Sequence, residues 1–163
     1  MRRGAVSTFQ RWQFRSGRPN TSARVLSGLL GIVFGAGIGP KQAATIEVRG
    51  RKTGRTISFP IVVVDYEAER YLVAMLGDKT NWVRNARAGN HAVLRQGRRE
   101  TVSLVEDFSG NRAAILRRYL EVGAGARPFF PIDRRAPLSD FERIVEEYPV
   151  FRIVPASKRP PAP

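Results

Sequence analysis

Ala44-Thr45-Ile46-Glu47-Val48-Arg49 alternates apolar and polar residues, Gly50-Arg51-Lys52-Thr53-Gly54-Arg55 interrupts it, and Thr56-Ile57-Ser58-Phe59-Pro60-Ile61-Val62-Val63-Val64 resumes an extended pattern. Alternation with a period of two is the mark of a half-buried strand, so the chain reverses through a turn between two strands. The second strand begins by alternating and becomes continuously apolar, which means that it runs into a core. Between them, Arg49, Arg51, Lys52 and Arg55 gather four cations around two glycines. Glycine permits positive φ and close approach of backbone N–H groups, and arginine forks match carboxylate or phosphate oxygens. Two readings stand side by side: an anion-binding hairpin and a solvated tip that merely carries charge.

Working outward, 163 residues suffice for one domain with a real core. The absence of cysteine excludes disulfides and thiolate chemistry, and the single histidine, His91, rules out a histidine-rich metal site. His91 reads as a strand-edge residue, and no metal is expected. Twenty-eight Lys+Arg against 14 Asp+Glu give a net charge of +14, a field that favours an anionic partner.

Residues 1–24 form a basic leader with arginines at 2, 3, 11, 15, 18 and 24, no acid, and Trp12 interleaved. Residues 25–39 are uncharged but shorter than the roughly 20 residues that a spanning helix needs, and five glycines weaken them as a free helix. The expectation is an apolar helix packed on the edge of a domain that runs from 25 to 154. A proline-rich, disordered tail over 155–163 is expected to follow.

Along that domain, Arg70–Met75 reads as a third strand behind the acidic turn Asp65–Glu69. Asp78 is placed to cap a helix over Lys79–Ala88 closed by Gly89. His91–Arg95 and Glu100–Val105 form a second hairpin, and Ser109 opens a helix that Gly123 stops. Ser139-Asp140-Phe141-Glu142 has the form of a capping box before a short helix, and Val150–Val154 is a terminal strand. About six mostly antiparallel strands with helices at the edges imply an α+β fold, a small closed or split β-barrel. The sequence contains no repeat, P-loop, dinucleotide glycine fingerprint or Ser/His/Asp arrangement.

Four motifs in order, Gly50-Arg51-Lys52-Thr53-Gly54-Arg55, Phe59-Pro60, Tyr71-Leu72-Val73-Ala74-Met75-Leu76-Gly77 and Asn81-Trp82-Val83-Arg84-Asn85-Ala86, resemble the deazaflavin-dependent nitroreductase and quinone reductase family. The resemblance covers about residues 24 to 154. It implies a split β-barrel of the flavin-binding kind, holding coenzyme F-420 in a groove and passing hydride to a quinone or nitro compound. FMN is the alternative cofactor.

On that resemblance, Arg51, Lys52, Thr53, Gly54 and Arg55 would hold the coenzyme's anionic tail. Pro60, Ala74, Met75, Leu76 and Trp82 would wall its ring, and Gly77, Asn81 and Asn85 would supply polar contacts. Trp82 also reads as a core anchor, and the two asparagines as a polar helix face. The family lines its acceptor side with tyrosines near the C-terminal helices. Here the corresponding stretch offers Phe129 and Phe130, which leaves Tyr119 as the catalytic candidate for proton donation.

The competing expectation is a non-enzymatic basic binding module, for nucleic acid or for lipid or quinone at a membrane surface. Strand-centre aromatic platforms of the kind single-strand binders use are not evident, which weighs against nucleic acid. Peripheral membrane contact through residues 1–39, a cytoplasmic or inner-membrane-face location and a homodimer complete the expectations.

Overall fold

The computed structural model describes residues 41–156. The basic leader, the apolar segment at 25–39 and the tail from 157 onward lie outside the described residues.

Six strands, β1 (Ala43–Arg49), β2 (Thr56–Tyr66), β3 (Glu69–Val73), β4 (His91–Gln96), β5 (Arg98–Glu106) and β6 (Val150–Pro155), close into a barrel. The order around the ring is β1-β2-β3-β6-β5-β4, every pairing is antiparallel, and β4 returns to β1. The α+β split-barrel class expected from the alternating segments is the observed one. The helices are α1 (Asn81–Ala88), α2 (Arg112–Val122) and α3 (Leu138–Ile144), with short 3-10 turns at Ala124–Phe129 and Val145–Glu147.

Alternation along the strands sorts the apolar residues into two cores. Inside the barrel, Ile46, Val48, Val63, Leu72, Leu94 and Phe151 pack with Val83 and Ala86 of α1. On the outer face, Val64, Tyr71 and Val73 pack against Leu116, Tyr119 and Leu120 of α2 and Phe141 of α3. This explains why β2 turns continuously apolar: Phe59, Ile61 and Val63 serve the inner core while Val62 and Val64 serve the outer one.

The two ends of the barrel are closed differently. At the end carrying the 66–69 and 96–98 turns, Arg70 Nη2 donates to both carboxylate oxygens of Glu100, at 2.9 and 3.0 Å. At the other, the 50–55 turn and α1 meet. The β2–β3 connection places Glu67 and Ala68 at φ 46° and 63° between the paired residues Tyr66 and Glu69. Positive φ at both central residues is the type I′ geometry whose twist suits a two-residue hairpin.

Several boundaries shift from the sequence reading. β3 ends at Val73, because Met75 N–H bonds to Val73 O and Gly77 N–H to Ala74 O, curling the chain out of the sheet. Asp78 does not cap α1: the helix begins after Thr80, and the Asp78 carboxylate pairs with Arg87 instead. Ser139 likewise makes no side-chain cap, since α3 starts one residue earlier behind Pro137 and Asp140 pairs with Arg143 at 2.6 Å. Ser109 precedes rather than opens α2, whose cap position is Asn111. Pro155 belongs to β6, not to the tail.

Candidate functional site

The cationic turn is a self-supporting loop. Gly54 adopts φ +68°, and Gly50 and Gly54 N–H groups donate to Arg55 O and Gly50 O, both at 2.8 Å. Arg55 N–H donates to Thr53 Oγ1 at 3.3 Å, and Arg49 Nε to Gly54 O at 3.2 Å. Arg51 uses both its backbone N–H (3.2 Å) and its guanidinium (3.0 Å) on the side-chain oxygen of Asn85 in α1. Much of the donor capacity that an anion would use is therefore spent within the protein. The side chains of Lys52 and Arg55 are exposed and make no ion pair among the described residues, so they carry the turn's available charge.

α1 is held over the barrel end at three points. Thr80 Oγ1 donates to Gly77 O at 3.1 Å, Asn85 holds Arg51, and Arg87 pairs with Glu106 of β5 at 2.6 Å and with Asp78. The two carboxylates push the Arg87 guanidinium's affinity for its proton further up, with the hydrogen bond to Glu106 contributing most. Gly77 sits at φ +81°, and a Cβ there would come within 3.1 Å of Glu147 O, so the approach to α1 requires glycine.

Trp82 enters the barrel mouth. Its ring centroid is 6.0 Å from Phe59 and 5.4 Å from Phe151, both tilted contacts. Its neighbourhood contains a feature that the motifs alone did not single out. The inner-face row of β2 is buried at Val63 but opens toward the turn: Phe59 and Ile61 are half-buried and Ile57 is 41% exposed. Ile57, Phe59 and Ile61, with Trp82 against Phe59, form a partly open apolar ledge that runs along β2 toward the turn carrying Lys52 and Arg55. The alternating spacing of 57, 59, 61 and 63 was the signal for it, since one face of the strand must either be covered or remain open.

The other predicted residues divide. Ala74 lies in the inner core, Leu76 is half-buried in the turn leading to α1, and Asn81 is half-buried at the start of that helix. Pro60 falls on the outer face of β2, opposite the ledge, and Met75 packs with the outer core. Asn85 is 4% exposed with its carbonyl committed to Arg51, so it positions the turn.

Tyr119 is 3% exposed within the outer core, not on the inner side with Trp82. Burial pushes its hydroxyl well above the ordinary 10.0, a poor setting for proton donation at neutral pH. Phe130 stacks on Tyr148 at 4.3 Å and sits 5.9 Å from Tyr119, while Phe129 O accepts from the Tyr148 hydroxyl at 3.4 Å. The acceptor-side trio thus forms part of the packed outer layer. The physical reason is α2's apolar face, which turns Tyr119 onto the barrel wall together with Leu116 and Leu120.

Among the described residues no cluster of His, Asp or Glu could hold a metal ion, and no helix is long and apolar enough to cross a membrane. No protein-family model and no curated protein matches the chain. Among solved structures, it is similar to one described as a domain-swapped dimer, at 15% identity and TM-score 0.52, covering 81% of this chain and 92% of that one. An F-420-H2-dependent reductase aligns at 15% identity and TM-score 0.46 over 71% of this chain and 96% of its own. A NimC/NimA family protein from Clostridium acetobutylicum aligns at 12% identity and TM-score 0.47 over 69% and 73%. The first of them carries the fold, and at such identities the likeness is one of backbone shape alone.

Proposed function

We propose that this chain is a reductase dependent on a deazaflavin coenzyme, which binds along the apolar ledge with its anionic tail on the 50–55 turn. The observation that carries the reading is a partly open apolar row, Ile57, Phe59, Ile61 and Trp82, running along β2 to the turn that bears Lys52 and Arg55, whose exposed side chains make no ion pair among the described residues. A flat tricycle needs an apolar wall, and a phosphodiester with carboxylates needs cations at one end of it. The residues present fit both demands.

When bound, the reduced coenzyme would supply a hydride to a small acceptor such as a quinone or nitro compound. The protein's part is positional. Arg51 and Asn85 fix the turn against α1, Lys52 and Arg55 attract and hold the tail, and Trp82 with Phe59 limits water at one face of the ring. The burial of Tyr119 favours water as the source of the proton that accompanies the hydride. FMN, which also has an anionic tail, competes for the same ledge.

Titration of the purified protein with F-420, followed by coenzyme fluorescence, tests the reading. Saturable quenching at micromolar concentrations is expected. An unchanged spectrum with F-420 and saturable binding of FMN would move the site to flavin chemistry. Replacing Lys52 and Arg55 together by alanine is expected to weaken binding roughly a hundredfold or more, since each charge-assisted contact contributes about 1.5–3 kcal/mol.

A further inference from the structure

A second cationic site lies on the outer layer, on elements that the coenzyme reading does not use. The outer face of α2 presents Arg117, Arg118 and Glu121, and the loop before α3 presents Arg134, Arg135 and Ala136; together they line an open cavity of about 470 Å³. Arg118 is paired with Glu121 at 2.8 Å, and Glu121 is the one carboxylate among the lining residues. The side chains of Arg117, Arg134 and Arg135 make no ion pair or hydrogen bond among the described residues.

Both walls are built. Arg117 and Glu121 are one helical turn apart on a face opposite to the buried Ile115, Leu116, Tyr119 and Leu120, so the core fixes their direction. The loop wall is a closed turn: Ala136 N–H donates to Asp133 O at 3.0 Å and Arg135 N–H to Asp133 Oδ1 at 2.9 Å. That turn sets Arg134 and Arg135 at its two central positions. The helix below is anchored as well, because Arg127 donates from Nε to Leu120 O at 2.8 Å and from Nη2 to Glu121 O at 3.0 Å.

We infer that this cavity binds a polyphosphate group, two or more linked phosphates, borne by a small molecule. Three unpaired guanidinium forks facing one space repel one another until an anion of matching multiplicity enters. The cavity's volume lies within the range of small-molecule sites and exceeds what one tetrahedral oxyanion fills. Its lining has no aromatic ring and one small apolar side chain, so it reads phosphates and leaves the rest of the ligand in solvent.

Calorimetric titration of the full chain with inorganic tripolyphosphate tests this site. Saturable one-to-one binding that weakens as salt rises is expected. The double variant Arg134→Gln with Arg135→Gln should bind at least tenfold more weakly, and Arg117→Gln, on the opposite wall, should lose affinity independently. In the Lys52→Ala, Arg55→Ala background, where the turn's own cations are gone, one-to-one tripolyphosphate binding should remain and should still be lost with Arg134→Gln and Arg135→Gln, which separates this site from the coenzyme turn. Circular dichroism checks that each variant folds, and the two walls give two independent readings. Wild-type affinity in the loop and helix variants, or loss of all binding in the turn variant alone, would overturn the inference. Tighter binding of duplex DNA that displaces tripolyphosphate through the same arginines would also overturn it, in favour of a nucleic-acid track.

Discussion

The barrel interior and the layer under α2 and α3 are both well-packed apolar cores, yet they differ in one chemical respect. The inner core holds no ionisable group: Ile46, Val48, Val63, Leu72, Leu94 and Phe151 are its bulk. The outer core takes in all four tyrosines of the chain, with Tyr71, Tyr119 and Tyr148 buried and Tyr66 half-buried. A chain can thus bury two apolar cores and make only one of them sensitive to proton concentration. The inner core sets the shape of the ledge, and the outer one fixes the helices.

The comparison breaks first at its largest members. Phe151→Ala in the inner core and Phe141→Ala in the outer are each expected to destabilise by about 3–5 kcal/mol, since both are fully buried. Urea denaturation followed by tryptophan fluorescence and by circular dichroism should show one coincident transition for each variant, as a single cooperative unit requires. Non-coincident curves for Phe141→Ala alone would mean that the outer layer melts separately.

Asn85→Ala comes next. Removing the acceptor of two Arg51 donors should cost about 1–3 kcal/mol and, on the proposed reading, lower affinity for F-420 through the turn, without touching the outer layer. A stable variant with wild-type affinity would show that the contact is incidental.

The alkaline limb sharpens the contrast further. Burial raises the hydroxyl pKa of Tyr119 most, and raises those of Tyr148 and Tyr71 as well, with Glu147 and Asp107 adding to the last two respectively. In the unfolded chain these groups would lose their protons near 10.0 while the folded chain keeps them. The stability they contribute is therefore fully present below that pH and is lost as pH rises toward the folded values. Thermal melting points should fall above pH 10, and Tyr119→Phe should flatten the slope while leaving turnover at neutral pH unchanged.

Smallest is Ala68→Gly, at the tip of the β2–β3 hairpin. Relief of positive φ in a residue with a Cβ should raise stability by about 1 kcal/mol or less. A loss instead would mean that the turn's rigidity matters more than its strain.

Much of the fold was legible in the sequence because strands declare themselves locally. The six segments sit where the pattern put them, within a residue or two, and the apolar run Ile61–Val64 enters a core as its composition implied, although only the structure divides it between two. Caps were misread at Asp78 and Ser139 because side chains with several partners within reach are decided by tertiary geometry: Arg87 claimed the first, and Pro137 set the helix start before the second. The candidate site was legible as composition and not as wiring. Nothing local to Arg51 reveals that its donors go to Asn85, 34 positions away, or that the turn's glycine N–H groups are satisfied internally. For Tyr119, periodicity announced a buried face of α2 but could not say that the wall it meets is the outside of the barrel.

The closed ring of strands has one more consequence. Every strand has a neighbour on each side over part of its length, so among the described residues no strand offers a whole free edge, and strand addition by a passing chain is disfavoured. The seams not formed by hairpins, β1–β4, β3–β6 and β5–β6, are where that protection would first fail. Substitutions that loosen them are expected to cause aggregation out of proportion to the stability they remove, because an opened ring acquires two sticky edges at once.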